Sequence, residues 1–99
     1  MIRFAAVAVL AGVVASPLFA NQIERACLKS DRGGSRAICG CIQDAANLTL
    51  TSKDQRLAAS FFADPDRAQE IRQSKRSSHE VFWKRYKNFG QTAELFCRS

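Results

Sequence analysis

The sequence has little of what most catalytic and metal-binding sites require. It contains one histidine and nine acidic residues, which are scattered along 99 positions. We find no glycine-rich nucleotide-binding loop, no calcium-loop spacing of carboxylates and no cluster of metal-ligating side chains. We therefore expect a protein that is not an enzyme and that needs no cofactor and no metal ion.

The sequence also lacks an apolar run long enough to cross a membrane, which takes roughly 20 residues. A shorter uncharged apolar run covers residues 4–15, after Arg3, and Pro17 interrupts the pattern that follows. This order, with the small residue Ala20 at its end, is typical of a secretory signal peptide. We predict cleavage after Ala20; the alternatives are cleavage after Ala15 and retention of the segment as an N-terminal anchor.

Residues 21–99 show no convincing alternation of apolar and polar positions, so we predict an all-α domain. Short polar or glycine-containing breaks divide it into a bundle of four or five short helices, beginning with one at residues 23–30. The other helices are expected to start at capping residues: Ser35, Ser52 with Gln55, Asp64 with Pro65, and Ser77 with Glu80.

Two of these helices carry an apolar stripe at helical spacing, which predicts the buried face of each. The second helix has the stripe Ile38, Cys41, Ile42, Ala45 and Leu48. The last helix has the longer stripe Phe82, Tyr86, Phe89, Ala93 and Phe96. We expect the aromatic stripe of the last helix to pack against the second helix.

Four cysteines lie in the predicted domain, and an even number in an exported protein indicates disulfide bonds. Four cysteines allow three pairings. A hairpin of the first two helices would place Cys27 and Cys39 at matching heights, and Cys41 would then face Cys97 at the end of the last helix. We predict the pairs Cys27–Cys39 and Cys41–Cys97, which would contribute about 3 and a little over 4 kcal/mol in the chain-entropy model.

Two motifs admit a chemical interpretation beside a structural one. The triplet Cys39-Gly40-Cys41 resembles the close cysteine spacing of thiol–disulfide redox proteins, although each cysteine also has a structural partner. His79 lies beside serines at a predicted helix start, where a solvated residue is a simpler interpretation than a nucleophile–base pair. We favour the structural interpretation in both cases and keep redox chemistry as an alternative.

Base and aromatic residues alternate in the last helix, and this is the main candidate binding surface. Residues 21–99 carry 14 basic and nine acidic side chains, a formal charge of +5, so the predicted domain is a basic protein. With the aromatic stripe buried, four side chains of the last helix are left at the edge of the core or outside it: Trp83, Lys84, Arg85 and Lys87. Lys75 and Arg76 of the preceding linker are their neighbours. We expect them to contact an anionic envelope component or an acidic protein rather than nucleic acid.

Three stretches of the sequence together carry a resemblance to a protein family: RACLKSDR, ICGCIQDAANLTLTSKDQRLAASFFADPDRAQEIRQS and FWKRYKNFGQTAELFC. They cover nearly all of residues 25–97 and resemble a family of small exported alphaproteobacterial proteins of uncharacterised function. Some members of that family carry the label "arginine transporter". Since a transporter needs spanning helices or a closed barrel, the resemblance implies at most a soluble accessory to amino-acid uptake.

Taken together, these observations predict a signal peptide at residues 1–20 and a single disulfide-bonded domain at residues 21–99. The expected location is the periplasm, or the medium if the protein is secreted. The expected function is binding through a basic surface, without catalysis. The alternatives are an accessory to arginine uptake, a thiol–disulfide redox protein using Cys39 and Cys41, and a chaperone that exposes apolar surface conditionally.

Overall fold

The computed structural model describes residues 21–30 and 34–98, which form five α-helices and no strand. The helices are α1 Gln22–Lys29, α2 Arg36–Thr49, α3 Ser52–Ala63, α4 Pro65–Gln73 and α5 Ser77–Cys97. The prediction of an all-α bundle of short helices is therefore confirmed. The predicted signal peptide lies outside the described residues. Among the described helices, none combines the length and the apolar character that crossing a membrane requires.

The start of α2 was predicted correctly, and the start of α3 lies one residue earlier than predicted. The Ser35 hydroxyl accepts a hydrogen bond from the Ile38 N–H at 3.1 Å. For α3, Thr51 is the capping residue: its hydroxyl accepts from the Asp54 N–H at 3.0 Å, and the Asp54 carboxylate accepts from the Thr51 N–H at 3.2 Å. The predicted box of Ser52 with Gln55 is wrong, because the Gln55 side chain is buried and bonded elsewhere.

The starts of α4 and α5 differ from the prediction in their caps. Pro65 is the first residue of α4, as predicted, but the Asp64 side chain forms no capping hydrogen bond. The predicted box of Ser77 with Glu80 is wrong, because α5 begins one residue earlier than that box requires. Arg76 precedes the helix, and its carbonyl oxygen accepts from the N–H groups of His79 and Glu80 at 3.0 Å each.

The core lies where α2, α3 and α5 meet, with contributions from α1 and α4. Its buried side chains are Ile23, Ala45, Ala46, Leu50, Ala58, Phe61, Ile71, Phe82 and Phe89. The ring of Phe61 meets the edges of two α5 aromatics, with centroids 6.0 Å from Phe82 and 5.3 Å from Tyr86. Aromatic pairs in this edge-on arrangement stabilise a core beyond their buried area.

Two residues of the predicted apolar stripes are exposed. Phe96 is 66% exposed. Cys97, the next residue, is bonded to α2, and neighbouring side chains on a helix point about 100° apart, so Phe96 points away from that contact. Leu48 is 73% exposed, because the buried face of α2 is offset from the predicted stripe. The buried positions of this face are Cys39, Gln43, Ala46 and Ala45, of which Ala45 belongs to the predicted stripe, and Leu50 follows the helix.

Both predicted disulfides are confirmed. Cys27 and Cys39 join α1 to α2 with a Cα–Cα distance of 5.6 Å, and Cys41 and Cys97 join α2 to the end of α5 at 5.7 Å. The first pair is buried, with Cys39 completely inaccessible to solvent, whereas the second is partly exposed. Cys39 therefore faces the interior and does not point away from it, contrary to the predicted stripe.

A buried amide connects the first three helices. The Gln43 side-chain oxygen accepts hydrogen bonds from the N–H groups of Ile23 at 2.8 Å and Glu24 at 2.9 Å, at the start of α1. Its side-chain nitrogen donates to the Gln55 side-chain oxygen at 2.8 Å and to the Asn47 side-chain oxygen at 2.9 Å. Since Asn21 forms no side-chain cap, α1 is capped by a residue of another helix.

Replacement of Gln43 is expected to destabilise the fold more than replacement of a surface glutamine. Gln43→Ala leaves the N–H groups of Ile23 and Glu24 and the Gln55 side-chain oxygen without this partner, which should cost about 2 kcal/mol or more. Gln91→Ala, at an exposed position of α5, is the matched control and should change stability by about 0.5 kcal/mol at most. Urea unfolding measures both. Equal midpoints for the two variants would contradict this account of the core.

Candidate functional site

A cleft lies between α3, α4 and the start of α5. Its volume is about 750 Å³, within the roughly 300–1,000 Å³ that is common for small-molecule pockets. Lys53, Arg56, Leu57 and Ser60 line it from α3, at positions that share one face of that helix. Arg67 lines it from α4.

The third wall of the cleft is the linker and the first turns of α5. It presents Arg76, the hydroxyls of Ser77 and Ser78, and His79. No side chain of the described residues caps α5, so the positive end of this 21-residue helix opens next to the cationic side chains. The linker and the helix end therefore add to the positive charge that α3 and α4 place in the cleft.

Positive charge predominates in the cleft. Its lining includes five cationic side chains, namely Lys53, Arg56, Arg67, Arg76 and Arg85, and one carboxylate, Asp54. Arg67 also contacts Glu70, 3.2 Å away on the surface of α4, a pair that is exposed on both sides and therefore weak. Within residues 21–30 and 34–98, no ion pair involves Lys53, Arg56 or Arg76.

The one carboxylate of the cleft is fully used by the protein itself. Asp54 and Arg85 form a two-pronged contact, with Nε–Oδ2 at 2.6 Å and Nη2–Oδ1 at 3.0 Å. The Asp54 side chain is 7% exposed and the Arg85 side chain 42% exposed. The same carboxylate also caps α3 by accepting from the Thr51 N–H, so both of its oxygens accept hydrogen bonds from protein donors.

These contacts hold Asp54 in its charged form. Burial works to raise the pKa of the Asp54 carboxyl, but the hydrogen bonds from Arg85 and Thr51 and the positive charge of Arg85 together outweigh burial. The pKa of Asp54 therefore lies below its ordinary value of 3.8. The hydrogen bond to Asp54 likewise raises the pKa of the Arg85 guanidinium, which stays charged.

His79 holds the α4–α5 linker and does not form a catalytic constellation among the described residues. Its Nδ1 lies 2.7 Å from the Ser74 hydroxyl oxygen, which also accepts a hydrogen bond from the Arg76 N–H at 3.1 Å. His79 is half-buried by this contact and is less solvated than the sequence predicted. Neither side chain has a third residue that orients it as a nucleophile–base pair requires.

The structure divides the binding surface predicted from the sequence. Arg76 and Arg85 line the cleft, Arg85 already being paired with Asp54. Lys84, Lys87 and Lys75 are exposed but outside the cleft lining.

Trp83 is half-buried against the core and does not line the cleft. Its ring centroid is 5.0 Å from the ring centroid of Tyr86. Burial raises the pKa of the Tyr86 hydroxyl. Trp83 therefore lies at the edge of the core, as predicted, and is not a freely exposed apolar anchor.

Three cationic residues of the cleft were missed by sequence analysis: Lys53, Arg56 and Arg67. Lys53 and Arg56 are three positions apart, a spacing that places both on one helix face. This spacing is visible in the sequence, but the prediction for α3 did not use it. The position of Arg67 opposite them depends on how α4 folds back on α3, which no spacing in the sequence indicates.

The other candidate sites have structural explanations in the described part of the chain. Cys39 and Cys41 are bonded to different partners, Cys27 and Cys97, and do not form the paired dithiol of a redox motif. No group of three or more metal-ligating side chains lies close enough together to hold an ion in residues 21–30 and 34–98.

No family model matches the chain, and no curated protein or solved structure matches it significantly.

The low pKa of Asp54 makes stability depend on pH in a definite direction. Because its pKa is lower in the folded chain than in the unfolded one, the carboxylate stabilises the fold above about pH 4. This contribution is lost as the pH falls through the folded-state pKa. Asp54→Asn should therefore be less stable than the wild type at pH 7, and the difference should shrink below about pH 4.

Thermal unfolding at pH 7, 5, 4 and 3 measures this difference. Asp66→Asn, at an exposed acidic position in the first turn of α4, is the matched control and should show a much smaller pH-dependent change. A constant difference between Asp54→Asn and the wild type over this pH range would disprove the assigned role of the carboxylate.

Proposed function

We propose that this protein binds an anionic ligand in the cleft between α3, α4 and α5, outside the cytoplasm and without catalysing a reaction. One observation carries the proposal: the cleft brings together five cationic side chains, and its single carboxylate is already neutralised by one of them. Three cationic side chains, Lys53, Arg56 and Arg76, therefore have no ion pair among the described residues, and Arg67 is paired only with the exposed Glu70.

The shape of the site strengthens its attraction for an anion. Apolar walls and a concave surface concentrate the field of the surrounding charges and raise the local concentration of oppositely charged ligands. Arginine guanidinium groups match the geometry of phosphate and carboxylate oxygens and can bind two of them at once. Arg56 and Arg76 are exposed and have no ion pair among the described residues, so both are available for such contacts.

Two of the alternative functions are less well supported by the described residues. An accessory to arginine uptake would need carboxylates directed at a basic amino acid, and the only carboxylate here is bonded to Arg85 and Thr51. A thiol–disulfide redox protein would need a pair of reactive sulfurs, whereas Cys39 is buried in a bond to Cys27. Anion binding is the function that the cleft supports best.

The two disulfides fit a protein that folds in an oxidising compartment. Combined with the signal-peptide pattern of residues 1–20, they support a location in the periplasm, or in the medium after secretion. The partner is then expected among the anionic molecules of the cell envelope.

Reversal of charge in the cleft should abolish binding, and the same reversal outside it should not. We expect inorganic pyrophosphate to bind the wild type. Its affinity for the variant Arg56→Glu/Arg76→Glu should be at least about tenfold lower. The control Lys84→Glu/Lys87→Glu changes the net charge equally but alters exposed residues outside the cleft. Calorimetry measures the affinities, and circular dichroism verifies the fold of both variants.

Amide chemical shifts provide an independent readout of the same titration. Pyrophosphate should shift the N–H signals of Ser77 and Ser78 at the start of α5 and leave those of Lys84 and Lys87 nearly unchanged. If both double variants lose affinity equally, general charge attraction explains binding and the cleft is not the site.

Export makes a separate prediction. Expressed in a Gram-negative host, the full chain should be recovered from the periplasm without residues 1–20 and without a free thiol. A chain starting at residue 21 should stay in the cytosol with reduced cysteines. Intact mass spectrometry before and after thiol alkylation distinguishes these states. Recovery of the full chain from the cytosol, uncleaved and with alkylated cysteines, would refute the proposed location.

A further inference from the structure

The cleft is larger and more apolar than a site for a simple oxyanion needs to be. Besides its charges it is lined by three apolar side chains, Leu57, Val81 and Phe82. Val81 is 49% exposed, whereas Phe82 is 3% exposed and belongs to the core. The volume of about 750 Å³ exceeds what one phosphate or carboxylate group fills.

Polar and apolar side chains lie next to each other on the helix faces that form the cleft. On α5, Ser77, Val81 and Arg85 are four residues apart and therefore share one face. On α3, Leu57 directly follows Arg56 on the side that lines the cleft. A molecule that fills this space meets cationic groups and apolar surface at the same time.

We infer that the ligand is an anionic amphiphile, a phosphate or similar oxyanion that carries an aliphatic chain. Its charged group contacts Arg56, Arg76 and the other cationic side chains, and its chain covers Leu57 and Val81. The inference rests on the proposed function, because it names the chemical class of the anion that the same cleft binds.

The physical basis is that the two interactions add. The cationic side chains supply attraction that salt weakens, and removal of apolar surface from water supplies attraction that salt does not weaken. Each methylene group that leaves water completely tightens binding by about fourfold. Binding should therefore increase with chain length at constant ligand charge.

Methyl phosphate and hexyl phosphate test this inference, because they carry the same charged group and differ only in the chain. We expect hexyl phosphate to bind the wild-type protein at least about tenfold more tightly than methyl phosphate in calorimetry. Hexanol, which lacks the charge, should not bind measurably.

Two variants locate the chain in the cleft. Val81→Ser should lower the ratio of the affinity for hexyl phosphate to the affinity for methyl phosphate severalfold. Leu95→Ser, at a 71% exposed apolar position of the same helix outside the cleft lining, should retain the full effect. Both positions are exposed enough that serine is expected to leave the fold intact.

The outcomes separate the inference from the proposed function. Equal affinity for both alkyl phosphates overturns the inference and leaves anion binding in place, whereas no binding of either phosphate or of pyrophosphate overturns both. The inference is also overturned if Leu95→Ser removes the chain-length effect and Val81→Ser leaves it unchanged, because the aliphatic chain then lies outside the cleft. Vesicles of phosphatidic acid, with phosphatidylcholine vesicles as the control, distinguish the source of the ligand. If the protein binds the phosphatidic acid vesicles as well as hexyl phosphate, the ligand is a lipid headgroup. If it binds hexyl phosphate alone, the ligand is a free molecule.

Discussion

The arrangement of the first three helices depends on one buried side chain, Gln43. Its amide accepts from two N–H groups at the start of α1 and donates to Gln55 of α3, so it satisfies groups on both neighbours of α2. A buried amide is costly unless its donors and acceptors are paired, and this one is paired throughout. The network therefore favours a single arrangement of α1, α2 and α3, which apolar packing of alanine and isoleucine alone would specify less strictly.

Asp54 connects that arrangement to the cleft. It closes the capping box of α3 and, with the same carboxylate, holds Arg85 of α5. The start of α3 and the third turn of α5 are thus fixed relative to each other. As a result, Lys53 and Arg56 of α3 and Val81 of α5 line the same concave surface. The positive charge of the cleft depends on this contact as well, because it removes the only negative charge from the lining.

Local patterns in the sequence were sufficient for the helical class, both disulfide pairs and most of the aromatic stripe of α5. The helical class and the apolar stripe depend on helix periodicity, whereas the Cys41–Cys97 pair, 56 residues apart, followed from the expected docking of the last helix on the second. The buried face of α2 was misplaced because its central residue, Gln43, is polar and was not counted as a core position. Arg67 was missed for a different reason: it lines the same cleft as Lys53 and Arg56 only because the chain turns between α3 and α4. Charge placed together by tertiary structure leaves no periodic signal.

The positions of Cys39 and Cys41 have a consequence for oxidative folding. Two residues apart on a helix, these cysteines point in opposite directions, towards α1 and towards the end of α5. In an unfolded chain the two sulfurs are nearly equivalent targets, since only one glycine separates them and either can reach Cys27. Formation of α2 removes this equivalence. The helix thus favours the native pairing, and a chain in which Cys27 has paired with Cys41 needs disulfide isomerisation to reach it.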